Sequence, residues 1–314
     1  MKTEEYFEYW LKVRIYPYLK PNTCSVYSNC VKNHILRDLG GMELEKLDAL
    51  VLQEQIANLK CRGLSARTVK LVFTVLKLAL DNAVDFNYIS QNPCHKTRLP
   101  ASYEIEADAL SRAEQQVIEA AALKSPDKRY LGIIICLYLG LRLGELCALT
   151  WQNINFETGQ LVVATSLTRI KNVVGGGEKT RMLIDMPKTP KSRRTIPVPD
   201  FLLELLRKRR HTAVSCYVIC SRRGGYVQPR TMQNIFKGLL RRQGIKPYNF
   251  HILRHTFASR CLELGSDIKT LSEILGHSST VITLNRYAHS LVQQKIILMN
   301  TLNSFFVPAG GVKS

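Results

Sequence analysis

The stretch that decides the fold is His251–Tyr287, which reads HILRHTFASRCLELGSDIKTLSEILGHSSTVITLNRY. Apolar residues recur in it with the period of a helix, and Gly265 and Gly276 each follow such a segment. A glycine in that place is typical of a helix C-terminus, because it adopts the left-handed conformation without steric cost. The stretch therefore predicts two helices that end at glycines, followed by one more short helix.

Side chains able to act on a phosphate follow one another in the same stretch. His251 and Arg254 are three residues apart, so they share one face of a helix. His277 is expected in the turn after Gly276, and Tyr287 near the end of the last short helix. Cationic and neutral donors thus precede a potential nucleophile, and no acidic metal-binding cluster accompanies them. This order indicates phosphate chemistry.

Length and charge set the class of protein. The 314 residues are enough for two domains, and 46% of them are hydrophobic, which suffices for a sizeable core. Lys and Arg number 44 against 25 Asp and Glu, so the formal net charge is +19. This balance favours a polyanionic partner, because each basic contact to a phosphate releases a counterion. The alternative is a protein that is merely basic and soluble.

The chain carries no sign of secretion or membrane insertion. Its N-terminus, MKTEEYFEYW, is acidic and amphipathic, unlike a signal peptide. The longest apolar run, Leu131–Leu141, is 11 residues and too short to span a bilayer. The nine cysteines are odd in number and scattered, which predicts reduced thiols in a cytosolic protein.

The first 92 residues are expected to form an all-α bundle. Four helical segments follow one another with short links: residues 3–19, a second that starts after the capping residue Thr23, a third over about 45–60, and a fourth capped by Ser65. Residues 93–104 then predict a linker, because Pro93 and Pro100 stop helices and basic residues lie between them. Such a linker either follows a nucleic-acid backbone or is a solvated hinge.

A second domain with mixed secondary structure is expected over residues 105–289. It opens with a capping box, Ser111 to Glu114, and continues into a buried apolar helix. Arg142 stands among apolar residues and needs a partner, for which Glu145 is the obvious candidate; a purely structural ion pair is the alternative. Alternating residues predict strands at 160–164, 180–185 and 194–198 in a small antiparallel sheet.

Two further segments complete the domain plan. A basic turn that contains Lys188 and Lys191 is expected to join the last two strands as a hairpin. Residues 290–314 form a tail, amphipathic over 290–306, that packs either on its own domain or on a neighbouring subunit. The fold class is therefore multidomain, with a helical N-terminal bundle and an α+β domain that carries a small antiparallel sheet.

Other chemistries fit the histidines less well. His251 and His255 have the spacing of zinc-binding histidines on a helix, but residue 252 is Ile where a metalloprotease helix has Glu. No nucleophile elbow of a serine hydrolase is present, nor is a glycine-rich phosphate loop. The sequence therefore predicts neither a metal site nor a nucleotide site.

The remaining residues occur in the order of a known family. The boxes are GLRLGEL at Gly140–Leu146, HILRHTFA at His251–Ala258, and LGHSS at Leu275–Ser279, followed by the tyrosine segment TLNRYAH at Thr283–His289. PKTPKSRRTIP at Pro187–Pro197 looks like a lysine-bearing hairpin. Together they resemble the tyrosine recombinase, or phage integrase, family. The helical N-terminal part resembles the core-site-binding domain of that family, with weaker motifs.

The resemblance implies a phosphate-binding set. Arg142 and Arg254 would hold the non-bridging oxygens of the scissile phosphate with planar donors that stay charged at any working pH. They would stabilise the charge that develops in the transition state. His277 would donate a hydrogen bond to the phosphate, and Glu145 would support the arginines.

The resemblance also implies a proton-transfer set. Tyr287 would attack phosphorus and form a 3′-phosphotyrosine, releasing a 5′-hydroxyl. Because the pKa of free tyrosine is about 10, a neighbour must help remove its proton, and His251 is the candidate. Lys188 would protonate the departing 5′-oxygen, with Lys191 as the fallback. The exchange conserves bond energy, so neither a metal nor a nucleotide cofactor is expected.

The implied function is site-specific recombination of duplex DNA at an inverted-repeat core site. Four protomers on two sites would exchange strands through a Holliday junction, with directionality or DNA-bending proteins as possible helpers. The amino-acid sequences of the motifs resemble those of integrases from prophages and conjugative elements. The resemblance implies a protein that acts in the cytoplasm on nucleoid DNA. Alternatives are a Xer-type resolvase, a type IB topoisomerase and a non-enzymatic DNA-binding accessory protein.

Two expectations concern residues around this set. His255 and His289 are expected to be structural, and the early start of the helical bundle predicts a simple core site without arm-site binding. Further basic side chains are expected along the DNA backbone: Arg62, Arg67, Lys70, Lys96, Arg98, Arg222, Arg223, Arg230, Lys237, Arg241 and Arg242.

Overall fold

The protein forms two compact units. The first contains residues 1–101 together with residues 169–171 and 180–182, and the second contains the rest of the described chain. The computed structural model describes residues 1–101, 109–171, 180–185, 193–277, 279–286, 299–300 and 302.

Helices dominate the first unit. Aromatic residues of the first helix fill its core: the Tyr6 hydroxyl donates to the Ala79 carbonyl at 2.6 Å, and the Trp10 indole donates to Asn82 Oδ1 at 2.9 Å. The α-helices are α1 Thr3–Trp10, α2 Pro21–Cys30, α3 Leu36–Leu39, α4 Ala49–Cys61 and α5 Ala66–Asp85. π-Helical turns at Leu11–Ile15 and Val31–Ile35 extend α1 and join α2 to α3.

Of the two helix caps predicted in this unit, one is confirmed and one is wrong. Ser65 accepts a hydrogen bond from the Thr68 amide at 3.2 Å and caps α5, as predicted. The cap predicted at Thr23 is wrong, because α2 begins at Pro21 and Lys20 precedes it. Proline suits a first helical position, since its missing N–H has no partner there in any case.

The first residues of the expected linker pack on the helical unit. Residues Pro93–Lys96 form a 3₁₀ turn in which Pro93 and Cys94 are buried. Asn92 ties the turn to α5 by donating to Asp81 Oδ1 at 2.6 Å, and Arg98 donates its amide to Gln53 Oε1 at 2.9 Å.

The second unit combines helices with strands. Its predicted capping box is confirmed, since Ser111 and Glu114 exchange backbone and side-chain hydrogen bonds. The helices are α6 Arg112–Lys124, α7 Leu131–Leu139, α8 Leu143–Ala148, α9 Asp200–His211, α10 Pro229–Arg242, α11 Ile252–Glu263, α12 Ile268–Leu275 and α13 Thr280–Arg286.

The strands pair differently from the expectation. They are β1 Ile154–Asn155, β2 Gln160–Val163, β3 Ser166–Lys171, β4 Thr180–Asp185 and β5 Arg194–Pro197. β2 pairs antiparallel with β1 and with β5, whereas β3 pairs with β4 in a separate sheet. The expected single sheet is therefore wrong. Within the described residues, β4 and β5 are not neighbours, so the basic segment between them does not join paired strands. The sequence missed β3, which pairs with β4.

The helices next to the predicted catalytic residues pack on one another. The apolar helix α7 is buried and packs against α11, while α12 packs on α11 and on β5. Gly265 after α11 and Gly276 after α12 both adopt the left-handed conformation, as predicted, and Gly140 ends α7 in the same conformation. The helical first unit and the α+β second unit confirm the predicted fold class.

Three general properties of the chain follow. All nine cysteines are free thiols. Over the described ranges, no helix is long and apolar enough to cross a membrane. In the same ranges, no group of three His, Cys, Asp or Glu side chains could hold a metal ion.

Candidate active site

Arg142 and Glu145 form the pair that the sequence predicts. Arg142 stands at the N-terminus of α8, and its Nη1 donates to Glu145 Oε1 at 2.8 Å, while its amide donates to Glu145 Oε2 at 2.8 Å. The Glu145 side chain is 5% exposed and that of Arg142 is 37% exposed. The carboxylate therefore supports the arginine from the buried side and leaves part of the guanidinium open to a ligand.

Arg254 is fixed from the opposite side. It lies in the first turn of α11, is 2% exposed, and donates to the Gly140 carbonyl at 2.7 Å and the Leu275 carbonyl at 2.6 Å. Gly140 can offer its carbonyl there because its φ is +61°, and a Cβ at that position would lie 2.5 Å from Phe257 Cδ1. Glycine is thus required at Gly140 for both conformation and space.

His277 follows the end of α12 directly. Its Nδ1 lies 2.8 Å from the hydroxyl of Thr283, which is 1% exposed on α13. The preceding residue, Gly276, accepts a hydrogen bond from Arg142 Nη2 at 3.0 Å. The carbonyl of the preceding Gly276 therefore keeps His277 near Arg142, and the His277 ring is held against α13 by Thr283.

Arg194 is a member of this cluster that the sequence did not single out. It is the first residue of β5, with its side chain 5% exposed. It donates to Glu145 twice, Nη1 to Oε1 at 3.1 Å and Nη2 to Oε2 at 2.9 Å, and its Nε donates to the Ile274 carbonyl at 2.5 Å. In the sequence, Arg194 is one of several basic residues of the predicted hairpin. Only its place two residues before Ile196, in an alternating pattern, indicated that its side chain is buried.

Three arginines thus meet one helix end. Arg194, Arg254 and Arg142 donate to the consecutive carbonyls of Ile274, Leu275 and Gly276. The last carbonyls of a helix have no partner within it and carry its partial negative charge, so cations stabilise them. Three guanidiniums and one ionised carboxylate leave two net positive charges, which suits a phosphodiester.

Glu145 is ionised in spite of its burial. Burial is the largest effect and raises its pKa, but the hydrogen bonds and charge of Arg194, followed by those of Arg142, lower the pKa to about 2. The cluster therefore keeps its composition of charges throughout the neutral pH range.

His251 is exposed, in contrast to the buried Arg254 and Glu145. It lies at the start of α11, and its ring meets that of His255 edge-on with centroids 4.7 Å apart. Since His251 and Arg254 are both placed by the first turn of α11, the helical spacing predicted from the sequence is confirmed.

Three residues of the predicted site, Lys188, Lys191 and Tyr287, lie outside the described residues, and so does His289, which is expected to be structural. On the N-terminal side of Tyr287, the structure describes the chain as far as the end of α13. On the C-terminal side of Lys188 and Lys191, it describes the chain again from Arg193. Their roles stay predictions.

Most of the side chains expected along DNA lie on the surface. Arg62 is the exception, because it is partly buried in an ion pair with Asp38. Arg242 is exposed but also contacts the Tyr130 hydroxyl. The others are exposed: Arg67, Lys70, Lys96, Arg98, Arg222, Arg223, Arg230, Lys237 and Arg241.

Comparison with known proteins relates this arrangement to a family. Residues 107–294 match the phage integrase family, and residues 3–60 match the N-terminal SAM-like domain of phage integrases. The chain is 30% identical over 311 residues to a tyrosine recombinase XerC-like protein of Caldanaerobacter subterraneus subsp. tengcongensis, covering 92% of this chain and 79% of the relative. The chain belongs to the phage integrase family. The predicted family and its reaction class, DNA strand transfer by a tyrosine recombinase, are thereby confirmed.

Solved structures of phage integrase family members share the fold. The Tn1549 transposon integrase, in complex with a circular intermediate DNA, superposes with a TM-score of 0.81 at 22% identity, covering 96% of this chain and 99% of that one. Lambda integrase, as a tetramer bound to a Holliday junction, superposes with a TM-score of 0.71 at 22% identity, covering 89% of this chain and 78% of that one. Both matches span the helical and the α+β parts.

Because the pKa of Glu145 is low in the folded protein, the stability of the fold depends on pH. A carboxyl whose folded pKa lies below its ordinary 4.5 stabilises the fold above that pH, and this contribution is lost as pH falls towards 2. We expect Glu145→Gln to lower the free energy of unfolding by on the order of 3 kcal/mol at pH 7 and by little at pH 2.

Chemical denaturation across pH 2–7 measures this difference. The exposed control Glu157→Gln is expected to follow the wild type throughout. A stability difference for Glu145→Gln that does not shrink with acid would contradict the assigned ionisation.

Proposed function

We propose that the protein is a site-specific recombinase that cuts and rejoins duplex DNA through a 3′-phosphotyrosine on Tyr287. One observation carries the proposal: Arg142, Arg254 and His277 converge on the C-terminal end of α12, which leads through α13 to Tyr287. The guanidiniums would hold the scissile phosphate, and His277 would donate to it. His251 would accept the tyrosine proton, and Lys188 would protonate the leaving oxygen.

The substrate is proposed to be duplex DNA with an inverted-repeat core site. The net charge of +19 and the exposed basic side chains support a polyanion. Lambda integrase is a tetramer on a Holliday junction, and on that analogy four copies of this chain would bring two sites together. Directionality or DNA-bending proteins would act as helpers, in the cytoplasm and at the nucleoid.

The biological role is proposed to be integration and excision of a mobile element. The fold shared with a transposon integrase supports this role. Xer-type resolution of chromosomes or plasmids is the second candidate, which the XerC-like relative favours. Recombination between two plasmids that carry the ends flanking the gene, compared with plasmids that carry a chromosomal resolution site, distinguishes the two roles.

The proposed domain plan is a DNA-binding helical domain over residues 1–92, a linker over 93–104, a catalytic domain over 105–289 and a tail over 290–314. In this plan the tail is exchanged between subunits. Deletion of residues 291–314 should then impair strand exchange between two sites while the protein still binds a single site.

The decisive experiment uses a nicked suicide duplex that bears the site. We expect a covalent adduct, stable to denaturant and formed in EDTA, in which mass spectrometry locates the DNA on Tyr287. No adduct on the authentic site would rule out the enzymatic function and leave a DNA-binding accessory protein. Adduct and plasmid relaxation without a two-site product would indicate a topoisomerase.

A further inference from the structure

We propose that Arg194 is a positioning residue of the phosphate-binding site. It would hold the Glu145 carboxylate and the backbone of Gly276 in the places from which Arg142 and His277 act. The inference rests on the proposed function, and it assigns a role to a side chain outside the set implied by the family motifs.

The first step is the shared carboxylate. Each oxygen of Glu145 accepts one hydrogen bond from Arg142 and one from Arg194, at distances between 2.8 and 3.1 Å. A carboxylate held by a bidentate guanidinium has a fixed plane. Because Arg194 is the more buried of the two arginines, it fixes Glu145 from within, and Glu145 then orients the half-exposed Arg142.

The second step is the turn at the end of α12. Gly276 packs directly on the guanidinium of Arg194, so that a Cβ on Gly276 would lie 3.0 Å from Arg194 Nη1 and 3.1 Å from its Cδ. Arg194 Nε also holds the Ile274 carbonyl at 2.5 Å. The flat guanidinium is therefore the surface on which the turn rests, and His277 is the next residue along.

The third step concerns the lysine-bearing segment. Arg194 follows Lys188 by six residues and Lys191 by three in the sequence. Its anchoring to Glu145, together with its pairing opposite Val163 in β2, fixes the point at which the chain leaves that segment. Arg194 thus holds the chain that follows this segment at the arginine cluster.

Lysine cannot replace these contacts. An ammonium group is a point charge without the planar fork, so it cannot span both oxygens of Glu145 and reach the Ile274 carbonyl as well. It also offers no flat surface to Gly276. Arg194→Lys keeps the buried positive charge but loses the planar set of hydrogen bonds. The variant therefore distinguishes an effect of position from an effect of charge.

The test compares Arg194→Lys and Arg194→Met with the wild type on the suicide duplex. The matched control is Arg193→Lys, because Arg193 is the neighbouring residue and is exposed. Thermal melting and DNA affinity are measured first, and the rate of adduct formation is then measured in single turnover at saturating protein. We expect Arg194→Lys to melt at a lower temperature but to be folded at the assay temperature, to bind DNA like the wild type and to cleave about 10²-fold more slowly, the effect of a small misplacement of reacting groups.

A second readout needs no DNA. Histidine labelled with ¹³C in the imidazole gives one ring signal per histidine, and His277→Gln identifies that of His277. We expect this signal to shift in Arg194→Lys and to stay in place in Arg193→Lys. A role in stability alone would not shift the His277 signal in a protein that is still folded.

Each outcome decides the proposal. Cleavage by Arg194→Lys within about twofold of the wild type, a change well below that of a lost transition-state contact, overturns it. Failure of both variants to fold at the assay temperature, or to bind DNA, also overturns it, since Arg194 would then serve folding alone. If the wild type itself forms no adduct, the proposed function has failed, and the His277 signal alone decides whether Arg194 positions that residue.

Discussion

Replacing Tyr287 by phenylalanine is expected to abolish the covalent protein–DNA adduct while leaving DNA binding within about twofold of the wild type. Phenylalanine keeps the ring and removes only the oxygen that would attack phosphorus. Loss of an enzymatic nucleophile lowers the rate by about 10⁴-fold or more. The rate of adduct formation on the suicide duplex and the affinity for the intact site measure the two effects separately.

A matched variant guards this result against a general effect of tyrosine loss. Tyr18 is 76% exposed and belongs to the first unit. Tyr18→Phe is expected to form the adduct at the wild-type rate. An adduct that persists in Tyr287→Phe would show that another residue is the nucleophile and would remove the central assignment of the proposed mechanism.

Replacing Arg254 by methionine is expected to reduce cleavage at saturating DNA by about 10³-fold, the scale of a lost donor to a charged transition state. The change also leaves the carbonyls of Gly140 and Leu275 without these donors. Each buried group left unsatisfied destabilises the fold by about 1–3 kcal/mol, so the melting temperature should fall as well. Arg254→Lys restores the charge but at most one of the two contacts, and should recover part of the stability and little of the rate.

Arg260 provides the control on the same helix. It also donates to a backbone carbonyl, that of Leu110 at 2.6 Å, but it faces α6 rather than the cluster. Arg260→Met is therefore expected to lower the melting temperature without lowering the cleavage rate of the folded protein. Equal losses of rate in Arg254→Met and Arg260→Met would indicate that destabilisation, rather than phosphate binding, explains both.

The sequence predicts those parts of the site that depend on near neighbours. Arg142 and Glu145 are three residues apart, and the glycines that follow α11 and α12 come after apolar segments of helical period. Such features are encoded locally, because helix geometry and glycine conformation follow from a few adjacent residues.

The sequence does not predict contacts between distant residues. Arg194 lies 49 residues from Glu145 and 80 residues from Ile274, so a charged residue after a basic turn looks solvated until the chain is folded. The pairing of β2 with β5 was not predicted, because these two strands are also distant in the sequence. Their pairing spans an intervening sheet, β3 with β4, and alternation alone cannot choose among possible partners.

The acceptors at the end of α12 have a consequence for which substitutions the chain tolerates. Arg194, Arg254 and Arg142 bind main-chain oxygens there, and every amino acid supplies such an oxygen. The side chains of residues 274 and 275 are therefore free to vary as far as packing permits, without altering the cationic cluster. Gly276 is not free, because its neighbour Arg194 fills the space of a Cβ. Substitutions at residues 274 and 275 therefore leave the electrostatics of the site unchanged, whereas a side chain at residue 276 would press on Arg194.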